Sequence, residues 1–97
     1  MKWLEIIAVR TASMADQPIH LLKHAAGSLL APGLKEASVC SHASIPGDFA
    51  ITLFWETEKT KPWGSDLAIG LVQELKNLGL VDHSIWIIQQ RQAKNGE

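Results

Sequence analysis

Tyrosine is absent from this 97-residue chain, cysteine occurs only once, and long apolar runs are lacking. A single cysteine, Cys40, excludes an intramolecular disulfide and a cysteine-based zinc site. No stretch approaches the ~20 apolar residues that a membrane-spanning helix needs. The apolar run at residues 3–9 is short and contains Glu5, which argues against a secretory signal. We therefore expect a cytoplasmic protein that has no membrane partner.

Neither positive nor negative charge dominates the sequence. The chain carries 9 basic and 10 acidic residues, for a net charge of −1, and its lysines and arginines are scattered. This pattern lacks the basic patch of a nucleic-acid-binding surface, so no nucleic-acid partner is expected. The 46% apolar and 20% charged content is typical of one soluble globular domain. We assign that domain to residues 1–97, with an ordered core over 1–92 and a tail over 93–97.

Two apolar stretches around one turn organise the rest of the sequence. Residues 38–44 and 48–56 each predict a β-strand, and the Ile45-Pro46-Gly47 sequence between them predicts a turn, because Pro presets φ and Gly permits positive φ. In the second of these strands, alternate residues are large and apolar: Phe49, Ile51, Leu53 and Trp55. Such alternation with period two places them on one face of a sheet.

Two helices and two further strands complete the pattern. Residues 3–10 predict a strand that is apolar on both faces, and residues 80–90 predict the last strand. A helix is expected over 17–31, ending at Pro32-Gly33, and a second over 66–78, capped by Ser65. Gly79 is expected to end that second helix in the left-handed conformation.

The resulting order, β-α-β-β-α-β, predicts a ferredoxin-like α+β fold. Its sheet would be four-stranded and antiparallel, in the spatial order 4-1-3-2, with both helices on one face. The opposite face would then expose roughly 300 Å² of projected apolar surface. We therefore predict a homodimer in which two helix-free faces pack together to form an α/β barrel.

This layout, which spans residues 2–90, resembles the dimeric α/β-barrel superfamily, in particular small proteins of the antibiotic-biosynthesis monooxygenase family. The segments nearest to a motif are residues 63–66 (WGSD), which open the second helix, and residues 79–86 (GLVDHSIW), which enter the last strand. The resemblance implies a pocket between sheet and helices in each subunit. Proteins of this superfamily include cofactor-free oxygenases, haem degraders, haem-binding enzymes and many proteins of unassigned role, so the resemblance implies one of these.

The four histidines do not predict a metal site. His20 and His24 share one face of the first predicted helix but have no third ligand assured. His42 and His83 lie on opposite edge strands of the predicted sheet, about 14 Å apart, which is too far for a shared ion. We therefore expect His20 and His24 to be solvated on the helix, and no bound metal or other cofactor.

The tryptophans offer two interpretations. Trp3 begins the first strand, Trp55 ends its antiparallel neighbour, and Trp63 lies in the loop that returns to the same end of the sheet. Three indoles there could form the floor of an apolar pocket for a planar ligand. The interpretation that we favour is that they fill the end of a small core and the dimer interface.

Two hypotheses of function follow, with a third behind them. The first is a homodimer that binds a small, planar, largely apolar molecule and acts as a monooxygenase-like enzyme without a tightly held cofactor. Its expected ligand-binding residues are Trp55, Trp63, Trp86, Ser41 and Thr52, and its candidate catalytic residues are His42 and His83. The second is a non-catalytic dimeric regulatory or assembly module, because the sequence shows no convergent acid–base set. The third is a haem-binding protein.

Overall fold

The structure, a computed structural model, describes residues 1–11 and 31–92. Within them lie four strands and one helix, namely β1 (Lys2–Arg10), β2 (Leu34–Ser41), β3 (Phe49–Glu56), α1 (Asp66–Leu75) and β4 (Leu80–Ile87). The helix predicted over 17–31 falls outside the described residues, apart from Ala31. Helix α1 is the second of the two predicted helices, so these elements form an α+β domain built on one sheet.

The sheet is antiparallel throughout, in the order β2-β3-β1-β4. Read from its other edge, this is the predicted order 4-1-3-2. The two central strands are paired in register from Lys2 opposite Glu56 to Val9 opposite Phe49. On the other side of β1, Ile7 lies opposite His83. The two most apolar strands therefore occupy the centre of the sheet.

One face of the sheet forms the core with α1. Burial alternates strictly along β1 and β3, so that every second side chain is shielded from solvent. The buried residues of the two strands are Trp3, Glu5, Ile7, Val9, Phe49, Ile51, Leu53 and Trp55. Ala68, Leu71 and Leu75 of α1 are also buried. This face is called the helix-facing side below, and the opposite one the helix-free side.

Proline–glycine pairs make two of the turns. Leu34 N donates to Ala31 O at 3.1 Å across Pro32-Gly33, where Gly33 has a φ of 86°. Asp48 N donates to Ile45 O at 3.3 Å in the predicted hairpin turn, where Gly47 has a φ of 90°. A positive φ at the third position of such a turn favours glycine, as the sequence indicated.

Strand β2 differs from the prediction of residues 38–44. It begins at Leu34, directly after the first turn, and ends at Ser41, so that a longer loop connects it to β3. Its register shifts by one residue between Leu34 and Glu36, which inserts a bulge. Bulges break the alternation of apolar residues, so the polar start of β2 does not stand out in the sequence.

Helix α1 begins as predicted but ends early. The Ser65 hydroxyl accepts a hydrogen bond from Ala68 N at 3.1 Å and so caps the first turn. The helix ends at Leu75 rather than at residue 78, and Gly79 does not have a positive φ. The prediction of a left-handed Gly79 was therefore wrong. A side chain at Gly79 would overlap the Arg10 carbonyl, so glycine lets the chain pass close to the end of β1.

The helix-free side carries apolar residues that no described helix or strand covers. Leu80 and Trp86 of β4 are 75% and 58% exposed on it. Phe54 lies on the same side, with the Arg91 guanidinium 5.2 Å from the centre of its ring. Among the described residues, no helix is long and apolar enough to cross a membrane.

Candidate functional site

Two stacked indoles form the floor of a cleft at one end of the helix-facing side. Trp3 and Trp55 are cross-strand partners, and their ring centres lie 5.5 Å apart with 16° between the planes. Trp3 Nε1 donates to Thr57 Oγ1 at 2.8 Å. Trp55 Nε1, although buried, has no acceptor among the described residues. A buried indole N–H normally has an acceptor, so the unpaired N–H of Trp55 is an exception.

The cleft has a volume of about 200 Å³ and is open to solvent. Its described lining consists of Trp3, Ala31, Pro32, Trp55, Thr57, Lys59, Lys61, Ser65, Asp66 and Leu67. Lys59, Lys61 and Asp66 are exposed. The site thus combines an apolar floor with charged groups, an arrangement that suits a small aromatic molecule carrying a polar substituent.

A carboxylate and an imidazole meet behind this cleft. Glu5 lies in the middle of β1 and is fully buried. Its Oε2 lies 2.8 Å from His83 Nε2 of β4 and also accepts a hydrogen bond from Ser65 N at 3.1 Å. Its Oε1 is buried with no partner among the described residues. The Glu5–His83 pair therefore connects β1, β4 and the start of α1.

The loop before α1 packs directly on this pair. Gly64 has a φ of 103°, and a side chain there would overlap the His83 ring. Because only glycine fits easily at such a φ, the sequence Gly64-Ser65 both places the imidazole and presents a backbone N–H to Glu5. Ser65 also lines the cleft. The cleft and the buried pair therefore share a wall.

Comparison with solved structures identifies the fold. A Deinococcus radiodurans protein named as an antibiotic biosynthesis monooxygenase matches with a TM-score of 0.64 and 20% identity, over 99% of this chain and all of that one. Rv0793 from Mycobacterium tuberculosis matches with a TM-score of 0.68 and 11% identity, over 96% of this chain and all of that one. A variant of SnoaB, a cofactor-independent oxygenase from Streptomyces nogalater, matches with a TM-score of 0.64 and 12% identity, over 96% of each chain.

This is the antibiotic biosynthesis monooxygenase-like fold. No protein-family model matches the sequence, and no curated protein matches it. Below 25% identity these similarities establish the fold, which is ferredoxin-like as the sequence predicted, and not the reaction.

The antibiotic biosynthesis monooxygenase-like fold does not bring the predicted ligand-binding residues together. Trp55 lines the cleft, whereas Trp63 is 68% exposed and is not part of the described lining. Thr52 and Trp86 belong to the helix-free side, where Trp86 Nε1 donates to Ser84 Oγ at 2.9 Å. Ser41 lies with His42 in a second hollow of about 220 Å³, near the far end of β1.

The two candidate catalytic histidines have different surroundings. His42 Nδ1 accepts hydrogen bonds from Ser44 N and Ile45 N, both at 3.0 Å, and so holds the hairpin loop. That use of its lone pair indicates a structural role. His83 instead contacts a buried carboxylate, as a candidate proton-transfer residue would. His20 and His24 lie outside the described residues.

Glu5 was missed by sequence reasoning, although a signal was present. It is the one charged residue in an otherwise apolar run, and it shares a face with Trp3 and Ile7. An acidic residue on the buried face of a central strand is rare unless it is paired. Its partner, His83, could be identified only from the register of β1 and β4. Among the described residues, no group of three or more His, Cys, Asp or Glu side chains could hold a metal ion.

Proposed function

We propose that this protein is a cytoplasmic homodimer that binds a small, planar, largely apolar molecule and oxidises it in a monooxygenase-like reaction without a tightly held cofactor. The observation that carries the proposal is the open cleft lined by the stacked Trp3 and Trp55, beside which the buried N–H of Trp55 has no acceptor among the described residues. A fold shared with SnoaB, a cofactor-independent oxygenase, supports the same class of chemistry.

The cleft suits an aromatic ketone or phenol. Ala31, Pro32 and Leu67 give the cleft apolar surface for a flat ring, next to the two nearly buried indoles. A ligand that reaches the buried Trp55 Nε1 would accept its hydrogen bond through a carbonyl or phenolate oxygen, and Lys59 and Lys61 favour negative charge on that oxygen. An activated ring methylene can react with O₂ so that one oxygen atom becomes a carbonyl and the other leaves as water. Both electron pairs come from the substrate, so no external reductant is required.

Anthrone, a flat ketone with an acidic methylene, tests the cleft. We expect saturable binding by isothermal titration, and about five- to tenfold weaker binding by Trp55→Phe, which removes the N–H and keeps an aromatic ring. Trp3→Phe is the matched control, because the Trp3 N–H already donates to Thr57. Equal losses in both variants would show that ring size, rather than the free N–H, determines affinity. Absence of binding to the wild-type protein would refute the proposed function.

Self-association is proposed through the helix-free side. Its four strands of eight or nine residues span roughly 500 Å² in projection, so two copies approach the lower limit for a specific interface. Leu80 and Trp86 are its most exposed apolar residues. Burying these side chains against a second copy would remove them from water.

Light scattering at micromolar concentration tests this surface. We expect twice the 10.6 kDa subunit mass for the wild-type protein, and a shift to the monomer for Trp86→Asp. Trp63→Asp, which changes an indole that is also exposed but belongs to the loop before α1, should leave the dimer intact. A wild-type monomer would contradict the proposed dimer.

The alternative is a dimeric module without a ligand, and the exposed Leu80 and Trp86 support it equally well. Dimerisation together with the absence of any response to anthrone would favour this alternative. Haem binding has less support, because the described lining of the cleft contains no His, Cys, Met or Tyr that could hold the iron.

A further inference from the structure

Two lysines in the lining of the cleft have no counter-charge. Lys59 and Lys61 belong to the loop between β3 and α1, and both are exposed. No ion pair among the described residues includes either of them. The exposed part of a largely apolar cleft therefore carries two positive charges that no carboxylate of the described chain neutralises.

Hydrogen bonds hold the backbone of both lysines beside the cleft. Thr57 Oγ1 accepts from Trp3 Nε1 at 2.8 Å and donates to Lys59 O at 2.7 Å, so one hydroxyl connects an indole of the cleft to the loop at Lys59. Gly64 N donates to Lys61 O at 2.9 Å and closes the turn that leads to α1. The loop therefore fixes where the two lysine side chains begin, while the side chains themselves stay accessible.

The charges that line the cleft do not cancel. The two lysines and one aspartate, Asp66, leave the described lining with a net charge of +1. Asp66 is the first residue of α1, where the positive end of the helix dipole interacts favourably with a carboxylate. Glu56 and Glu58 are close in sequence and exposed, but neither is part of that lining. The cleft is therefore more favourable for an anion than for a neutral molecule.

We propose that the cleft selects planar aromatic molecules that carry a carboxylate, with the ring against the apolar lining and the carboxylate beside the ammonium groups of Lys59 and Lys61. A lysine ammonium is a compact charge with three rotatable N–H donors, so a pair of lysines recognises an anion without requiring one fixed geometry. The inference rests on the proposed function, because it names the class of substrate that the cleft would bind and oxidise.

Two ligands with the same ring system test this preference. At neutral pH 2-naphthoate is an anion, whereas 2-naphthamide is neutral. By isothermal titration at low ionic strength, we expect the wild-type protein to bind 2-naphthoate about five- to tenfold more tightly than 2-naphthamide, since each exposed charge contributes modestly. The variant Lys59→Gln/Lys61→Gln should bind the two ligands about equally, because glutamine keeps a polar end but no charge.

The variant Arg10→Gln/Lys76→Gln is the matched control, because it also removes two exposed positive charges. Arg10 ends β1, about 23 Å along the strand from Trp3. Lys76 caps the C-terminal end of α1, about 15 Å along the helix from Asp66. This control should keep the wild-type preference for 2-naphthoate.

The possible results separate this inference from the proposed function. Equal affinity of the wild-type protein for the two ligands, or an unchanged preference in Lys59→Gln/Lys61→Gln, would overturn the inference, while anthrone binding would leave the proposed function standing. Loss of the preference in the control would also overturn the inference, because the total charge of the protein would then be responsible. If neither naphthalene ligand nor anthrone binds, both proposals fail.

A further variant, Thr57→Val, tests whether the loop contact positions Lys59. Valine keeps the branched shape but removes the hydroxyl between Trp3 Nε1 and Lys59 O. We expect the preference for 2-naphthoate over 2-naphthamide to fall about twofold, because Lys59 loses its place while the backbone contact of Lys61 is kept. Equal weakening of both ligands would instead show that Thr57 supports the cleft and does not position Lys59.

Discussion

Replacing His83 by leucine is expected to lower the free energy of unfolding by about 3 kcal/mol. The substitution removes the partner that lies 2.8 Å from Glu5 Oε2, so a fully buried carboxylate keeps only the hydrogen bond from Ser65 N. An uncompensated buried charge is among the most destabilising single changes in proteins. Urea unfolding followed by tryptophan fluorescence at neutral pH measures the difference.

Removing both members of the pair should have the opposite effect. The double variant Glu5→Leu/His83→Leu replaces two polar groups by apolar ones next to Leu53 and Ile85. We expect its free energy of unfolding to be between the wild-type value and about 1 kcal/mol above it. Asp82→Leu, an exposed change at the adjacent position, should shift stability by less than about 0.5 kcal/mol. If the double variant is as unstable as His83→Leu, the pair is a structural requirement of the core.

That comparison bears on why the pair is present. A double variant that is stable and binds anthrone but no longer oxidises it would show that Glu5 and His83 serve chemistry at the expense of packing. A destabilised one would instead make the pair a connector between β1, β4 and α1. The two results lead to different roles for the same two side chains, and unfolding stability and oxygen uptake are measured independently.

The strands of the sheet could be predicted from the sequence because strands and turns are specified by neighbouring residues. Alternation in residues 49–55 and the Pro46-Gly47 turn specify a strand and its direction reversal, and Ser65 specifies the start of α1. The end of α1 was harder to predict, since Leu78 continues the apolar stripe while the chain has already left the helix. There the close passage of Gly79 along the Arg10 carbonyl, a tertiary contact, determines the backbone.

The candidate site was less accessible to sequence reasoning because it depends on register. His83 and Asp82 are adjacent in sequence, and only the pairing of Ile7 with His83 shows which of them faces the core. A shift by one residue would place Asp82 there instead. In the same way, Trp55 and Trp63 carry the same side chain, yet one is 4% exposed and the other 68%. Residue type alone could not distinguish them.

Trp55→Ala is expected to lower the free energy of unfolding by about 3–5 kcal/mol, the range for deleting a large buried aromatic side chain. The indole is 4% exposed and packs against Trp3 at a ring distance of 5.5 Å, so its loss leaves a cavity beside the remaining ring. Thermal unfolding followed by circular dichroism measures the loss. Trp55→Phe should retain most of the stability, since part of the aromatic contact is kept.

Trp63→Ala is the matched comparison, because the same side chain is removed from a position that is 68% exposed. We expect a change of less than about 0.5 kcal/mol, since little apolar area returns to water. A loss similar to that of Trp55→Ala would mean that Trp63 is buried in the protein in solution, as one of the three indoles filling the end of the core. A small loss in stability accompanied by weaker anthrone binding would instead assign Trp63 to the wall of the ligand site. The Trp55 and Trp63 variants thus test separately whether the tryptophans fill the core or bind a ligand. Unfolding stability tests the first interpretation, and affinity for anthrone tests the second.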